Sequence, residues 1–252
     1  MPVLKNTSRR PAVPSVTLLG AGPGDPELIT VRGLNRLRAA EVLIYDDLAG
    51  DALPEEVPAN CEKIYVGKRS GKHNRPQSEI SALIVEKARE GKRVVRLKGG
   101  DVFVFGRGGE EIEALKEAGL PFEVVPGVTA ALAAGAAAHI PLTHRDLASS
   151  LIFVTGHESA KSEEGVCWED FAKLKATLCI YMGTVQLPKI AARLIAGGLA
   201  PETPVAAVIR AGAPDMETVP FDLKRAAAGE LTGRVVSPAI LIVGKVAGFA
   251  LS

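Results

Sequence analysis

The sequence predicts an α/β protein: two α/β domains with mainly parallel mixed sheets, a ligand binding at the strand C-terminal ends or between the domains. Three observations carry this prediction. Short apolar runs alternate with segments of helical period along most of the 252 residues, the pattern of parallel strands joined by covering helices. Glycine-rich turns directly follow several of those runs, where α/β proteins bind ligands. Alanine and glycine abound while aromatics make up only 4% of the chain, which suits closely packed layers.

The elements follow in order. Val16 to Gly20 reads as a buried strand and Leu28 to Ala39 as a helix. Val42 to Tyr45 and Lys63 to Val66 are strands. Gln77 to Glu90 is a helix opened by Pro76, with Ile80, Leu83, Ile84 and Ala88 on one face at i, i+3, i+4 spacing. Strands at Val94 to Leu97 and Phe122 to Val125 flank a helix from Ile112 to Ala118, and Val128 to Ala138 forms an alanine-rich helix buried all round. The rhythm breaks at His139 to Ser149. A strand (Leu151 to Thr155), a polar segment with a short helix (Ser159 to Lys173), and a strand (Leu178 to Met182) come next. The helix Leu187 to Ala196, strands at Val205 to Ile209 and Glu217 to Phe221, a helix from Asp222 to Ala228, and a strand from Ala239 to Val243 complete the pattern. The expected division is a flexible tail over residues 1–14, an N-terminal domain over 15–140 and a C-terminal domain over 141–252.

A net charge of +1 argues against a nucleic-acid partner, which selects for a basic excess. No apolar run approaches the ~18 residues a membrane span requires. Cys61, Cys167 and Cys179 are odd in number and far apart, so neither a disulfide framework nor a zinc site is indicated, no metal is expected, and a cytoplasmic setting is the simplest. The polar, acid-free Met1 to Pro14 segment lacks the apolar core of a signal peptide.

Residues 98–111, Lys-Gly-Gly-Asp-Val-Phe-Val-Phe-Gly-Arg-Gly-Gly-Glu-Glu, join a strand to a helix. So many glycines permit positive φ and close approach of backbone to a ligand. Arg107 and Glu110 lie one helical turn apart, where side chains share a face. A turn serving only to reverse the chain needs fewer glycines and no Arg/Glu pair, so this segment is expected to be an active-site loop. A second loop, Gly20-Ala21-Gly22-Pro23-Gly24-Asp25-Pro26, also follows a strand. It imitates a dinucleotide fingerprint, with Asp46 about 20 residues on. Yet Asp25 occupies the third glycine's place and would repel phosphate, and Pro23 removes a donor that a pyrophosphate needs. A phosphate-free ligand contacted by the backbone fits better, beside a tight turn without a ligand.

With both loops in view, the chain resembles the tetrapyrrole (corrin/porphyrin) methyltransferases from about Val16 to Val246. The markers are Gly20 to Pro26, Val66-Gly67-Lys68-Arg69 with Gln77 following, and the loop at 98–111. Val125 to Ala130, Ile140 to Arg145, Thr155-Gly156-His157, Tyr181-Met182-Gly183 and Pro238-Ala239-Ile240 extend the series. Each motif is weak alone; the ordered set is specific. The nearest branch of the family acts on uroporphyrinogen III.

The resemblance implies two α/β domains with S-adenosylmethionine (SAM) in the cleft between them, and a homodimer. It implies addition of two methyl groups, at C2 and C7 of uroporphyrinogen III, giving precorrin-2 for sirohaem, cobalamin or haem d1 synthesis. The dehydrogenase and chelatase domain fused to some relatives has no room in 252 residues, so the expected product is precorrin-2.

Residue by residue, Pro23, Gly99, Gly100, Asp101, Val104, Thr129, Ala130, Met182, Ala211 and Ala239 match positions that line the methyl donor's site. Small residues there let backbone groups reach adenine, ribose and the amino-acid end, and Asp101 suits a cationic ligand. Ala211 and Ala239 are equally compatible with sheet packing, and Met182 with core filling. Arg107 and Glu110 carry the catalytic assignment. The family's arginine is proposed to assist proton removal, although a guanidinium is almost always protonated. Binding the substrate's carboxylate arms is chemically more natural for Arg107, with Glu110 orienting it or meeting a pyrrole N–H. Arg145, His157 and Met182 match further substrate contacts. Lys68, Arg69, Lys72, His73 and Arg75 form either a basic lip steering a polyanion or a solvated loop. Val102 stands where the family commonly has proline and is expected to loosen the donor loop; Asp46-Asp47 and Lys245 also depart from its pattern. Two other readings stay open: a related methyltransferase acting on a later corrin intermediate, a diphthamide precursor or ribosomal RNA, and a nucleotide-dependent oxidoreductase or NTPase read from Gly20 to Asp25.

Overall fold

The computed structural model describes residues 15–50, 52–67, 76–157 and 166–251. The tail over 1–14, the basic residues Lys68, Arg69, Lys72, His73 and Arg75, and the start of the polar segment at 158–165 lie outside these. The chain forms two compact units. One holds the described residues of Met1–Gly20 and Thr30–Gly127, the other those of Ala21–Ile29 and Val128–Ser252.

In the first unit, strands β1 (Val16–Gly20), β2 (Val42–Tyr45), β3 (Glu62–Tyr65), β4 (Val94–Lys98) and β5 (Phe122–Val125) form a sheet in the order β3-β2-β4-β1-β5. Every pairing is parallel, so all five carboxyl ends share one edge. Both β1 and β4 are buried throughout, as expected of central parallel strands covered on both faces. Helices α1 (Val31–Leu37), α2 (Gln77–Arg89) and α3 (Gly108–Glu117) complete the unit. Leu18, Ile44, Ile80, Ile84, Val102 and Leu115 are among its core residues.

The helix expected from Leu28 starts later. Pro26–Leu28 is a 3-10 turn capped by Asp25, and α1 begins only after Thr30, whose Oγ1 accepts the Gly33 N–H at 3.1 Å. A helix start goes where its free N–H groups find an acceptor, and apolar period alone does not reveal that position.

In the second unit, α4 (Ala130–Ala137) leads to β6 (Ser150–Thr155), α5 (Trp168–Phe171), β7 (Ala176–Tyr181) and α6 (Leu187–Ala196). Then follow β8 (Pro204–Ile209), β9 (Glu217–Asp222), α7 (Leu223–Ala227) and β10 (Ala239–Val243). The sheet order is β6-β7-β10-β8-β9. Only β6 and β7 pair in parallel; the β7–β10, β10–β8 and β8–β9 pairings are antiparallel. No helix intervenes between β8 and β9, so that connection is a return and not a crossover. Its core gathers Trp168, Leu178, Ile180, Leu194, Phe221 and Leu241 among others. Helix α4 is not buried all round: Ala131, Ala133, Ala134 and Gly135 are covered while Leu132 is exposed. Alanine's helix propensity needs no burial to support it, so an alanine-rich helix can face solvent on one side.

Candidate active site

The carboxyl edge of the first sheet is built on glycine. A methyl added to Gly20, at the end of β1, would stand 2.5 Å from Gly127 N and 2.7 Å from Gly100 O. The ends of β1, β4 and β5 therefore meet backbone to backbone. Gly100 has φ +66°, a conformation closed to most side chains. Asp101 fastens the loop after β4: one carboxylate oxygen accepts from Phe103 N (2.8 Å) and Val104 N (3.3 Å), the other from Gly127 N (3.1 Å). Val102 is fully buried in the core, and its carbonyl accepts the Gly108 N–H at 3.3 Å. The valine thus anchors the loop where looseness was expected.

This loop delivers Arg107 at the mouth of α3 in a left-handed conformation (φ 57°, ψ 17°). Strain of that kind persists only where the surroundings hold it, and it concentrates at functional sites. The guanidinium grips Glu110 with two parallel bonds, Nε to Oε1 and Nη2 to Oε2, both 2.7 Å. Both side chains remain about half exposed, at 56% and 50%. The Glu110 hydrogen bonds raise the Arg107 pKa, and the Arg107 bonds lower that of Glu110. The pair is therefore a fixed cation and anion rather than a proton-exchanging couple.

Behind it lies a charge cluster that the sequence reading did not single out. Strand β4 buries Arg96 and Lys98 in the middle of the sheet. The fully buried Glu111 of α3 takes three donors on one oxygen: Arg96 Nε, Lys98 Nζ and Gln77 Nε2, each at 3.1 Å. Arg96 also reaches Asp46 at 2.7 Å and the Leu97 carbonyl at 2.8 Å. Burial, then repulsion from Arg96, push the Lys98 ammonium pKa down; Glu111 opposes them. The available signal was two cations inside an otherwise apolar strand, since buried charges demand partners.

In the second unit, Thr155 pairs with Tyr181, Ile240 with Tyr181, and Ala239 with Ile209. That register brings His157, Met182, Ala211 and Ala239 to one edge of the mixed sheet. Met182 has φ +53° and is 53% exposed, so it does not fill the core. Ala211 is buried and Ala239 belongs to β10. The Pro23 ring lies beside Gly212, whose added methyl would stand 3.2 Å from Pro23 Cγ. The buried Tyr181 hydroxyl lies 2.7 Å from Thr129 Oγ1 and accepts the Ala131 N–H at 3.1 Å, holding the start of α4 with Thr129 and Ala130. Arg145 lies on a separate turn. There His144 and Ala148 exchange backbone bonds of 2.9 and 3.0 Å, and Thr143, His144, Arg145, Ala148 and Ser149 line an open cavity of about 260 Å³.

Small residues and left-handed backbone at strand ends suit a ligand approached by backbone groups, and the half-exposed Arg107 suits a carboxylate. Among the described residues, no group of three or more His, Cys, Asp or Glu is placed to hold a metal ion, and no helix is long and apolar enough to cross a membrane.

The chain is similar to known proteins over most of its length. The family model of the Tetrapyrrole (Corrin/Porphyrin) Methylases matches residues 15–227. A S-adenosyl-L-methionine-dependent uroporphyrinogen III methyltransferase of Methanosarcina barkeri is 47% identical over 232 residues, 92% of this chain and 91% of that protein. A siroheme synthase of Gluconacetobacter diazotrophicus is 46% identical over 231 residues, 92% of this chain but 49% of the relative. The chain thus spans about half the length of the siroheme synthases it matches. The crystal structure of a Thermus thermophilus uroporphyrin-III C-methyl transferase complexed with S-adenyl homocysteine superposes with a TM-score of 0.79 at 40% identity, covering 92% of each chain.

Proposed function

Since the chain belongs to the tetrapyrrole (corrin/porphyrin) methylase family, we propose that it transfers two methyl groups from SAM to C2 and C7 of uroporphyrinogen III, giving precorrin-2. The observation that carries this reading is the Arg107–Glu110 pair, presented half exposed at the carboxyl edge of an all-parallel sheet. A guanidinium so placed matches a substrate whose rim is a set of carboxylates.

When bound, SAM supplies an electrophilic methyl on a sulfonium. The chain's own residues hold and orient the reactants. Arg107 binds a carboxylate arm and so orients the pyrrole ring for methylation. A guanidinium is protonated at any working pH, which opposes a role as proton acceptor. Glu110 stays ionised beside it and sets its orientation. Arg145, in a cavity of about 260 Å³, binds a second carboxylate arm, and His157 and Met182 contact the macrocycle. Donor contacts are assigned to Gly99, Gly100, Asp101 and Val104 in the first unit. In the second they are Pro23, Thr129, Ala130, Met182, Ala211 and Ala239. The protein acts as a homodimer, which sedimentation would test.

The deciding experiment is anaerobic incubation with SAM and freshly generated uroporphyrinogen III, followed by mass analysis of the tetrapyrrole. A gain of two methyl groups is expected. No gain, with S-adenosylhomocysteine still bound, would move the substrate to another tetrapyrrole.

A further inference from the structure

We propose that Glu111 is a positioning residue for methyl transfer: its buried pairing with Lys98 clasps the neck of the 99–110 loop and thereby fixes Arg107 and Glu110. The proposal rests on the role given to Arg107 above.

The start of α3 calls for such a clasp. A helix N-terminus is ordinarily closed by a Ser, Thr, Asp or Asn side chain on an extended residue. Here the N-cap position is Arg107, left-handed, with no side-chain cap hydrogen bond. Its side chain is engaged by Glu110. The Gly108 N–H to Val102 carbonyl bond, at 3.3 Å, ties the turn only to the loop itself. Glu111 ties it to the rest of the unit, reaching Arg96 and Lys98 on β4 and Gln77 on α2.

The placement is that of a staple. Lys98 is the last residue of β4, immediately before Gly99, and Glu111 immediately follows Glu110. Their 3.1 Å contact closes the loop at both ends.

Stability alone does not account for this arrangement. Burying a carboxylate is costly, and well-packed apolar residues often serve the fold equally well. All three donors converge on Glu111 Oε1, and Oε2 is buried with no hydrogen-bond partner among the described residues. The geometry of those contacts joins β4, α2 and α3 at the neck of the loop. The loop that Glu111 closes carries Gly100, Phe105 and Arg107 at positive φ, conformations that relax if the neck opens.

The test uses Glu111→Gln, which keeps the shape but loses the charge, and the double variant Lys98→Met/Glu111→Leu, which removes the Lys98–Glu111 pair and leaves Arg96 on Asp46 and the Leu97 carbonyl. Turnover, the melting temperature and tryptic cleavage after Arg107 are measured on each and on the wild type. Glu111→Gln is expected to lose about 10- to 100-fold in kcat, the scale of misplacing a reacting group by about an ångström, and to be cut faster after Arg107. The double variant is expected to recover wild-type melting without recovering kcat or protection. Wild-type kcat and cleavage in Glu111→Gln, or full recovery of both in the double variant, would overturn the proposal. If the wild type itself fails to methylate uroporphyrinogen III, the functional reading falls, and the cleavage rates alone decide the clasp: unchanged protection of Arg107 in Glu111→Gln refutes it.

Discussion

Replacing Gly20 by alanine tests whether the backbone junction at the first sheet's carboxyl edge sets the site's geometry. The new methyl would sit 2.5 Å from Gly127 N, 2.7 Å from Gly127 Cα and 2.7 Å from Gly100 O. Each is a main-chain atom, so no side chain can swing aside. To reach the 3.0 Å below which such contacts essentially never occur, the β5 end must retreat by about 0.5 Å; full van der Waals separation requires about 0.9 Å. Overpacking of this kind costs about 1–3 kcal/mol, and each kcal/mol lowers the melting temperature by about 2–4 °C in a chain of this size. The same retreat displaces Gly100, and ångström-scale errors in a binding loop are costly. The expected outcome is a melting temperature lower by several degrees and, by calorimetric titration, S-adenosylhomocysteine affinity reduced at least about tenfold. Gly109→Ala is the control. Nothing lies within 4 Å of its added methyl, and alanine within a helix is favoured over glycine by about 0.5–1 kcal/mol. Wild-type melting and affinity in Gly20→Ala would refute the close-approach argument.

Arg107→Ala should nearly abolish turnover with little change in melting, because an exposed i,i+3 pair contributes at most about 1 kcal/mol; wild-type turnover would remove Arg107 from the mechanism. Glu169 accepts two bonds from Arg193, at 2.8 and 2.9 Å, and these chiefly hold its carboxyl at about 2, below its ordinary 4.5. A depressed carboxylate stabilises the fold above its unfolded pKa and loses that contribution as pH falls through the folded value. Glu169→Gln should therefore flatten the acid limb of the urea midpoint between about pH 4.5 and 2, and an unchanged limb would contradict the pairing. Cys179 is buried, its thiol pushed up to about 12 by desolvation. Iodoacetamide should label exposed Cys167 in the native protein and Cys179 only on unfolding; equal native rates would contradict that burial.

Much of the site was legible in sequence for a local reason. Glycine density and i,i+3 spacing are properties of neighbouring residues, so the 98–111 loop and the Arg107–Glu110 pair could be read directly. Gly20 was legible as a turn residue, but not as the point where three strand ends touch, because Gly100 and Gly127 are distant in sequence. The start of α1 was misplaced because the Thr30 cap outweighs the apolar period beginning at Leu28. Met182 was ambiguous between core and surface until its exposure was known.

Apolar periodicity and strand-end glycines were sufficient to place nearly every strand, the α/β class and the glycine-rich 98–111 turn, because these depend on local conformational preference and on which face must be dry. Tertiary packing decided the rest. It set β10 antiparallel between β7 and β8, aligning His157, Met182, Ala211 and Ala239 on one edge. It also buried Arg96, Lys98 and Glu111 against one another. Pairing direction and the partner of a buried charge are relations between distant segments, and their energies exist only once those segments are packed together.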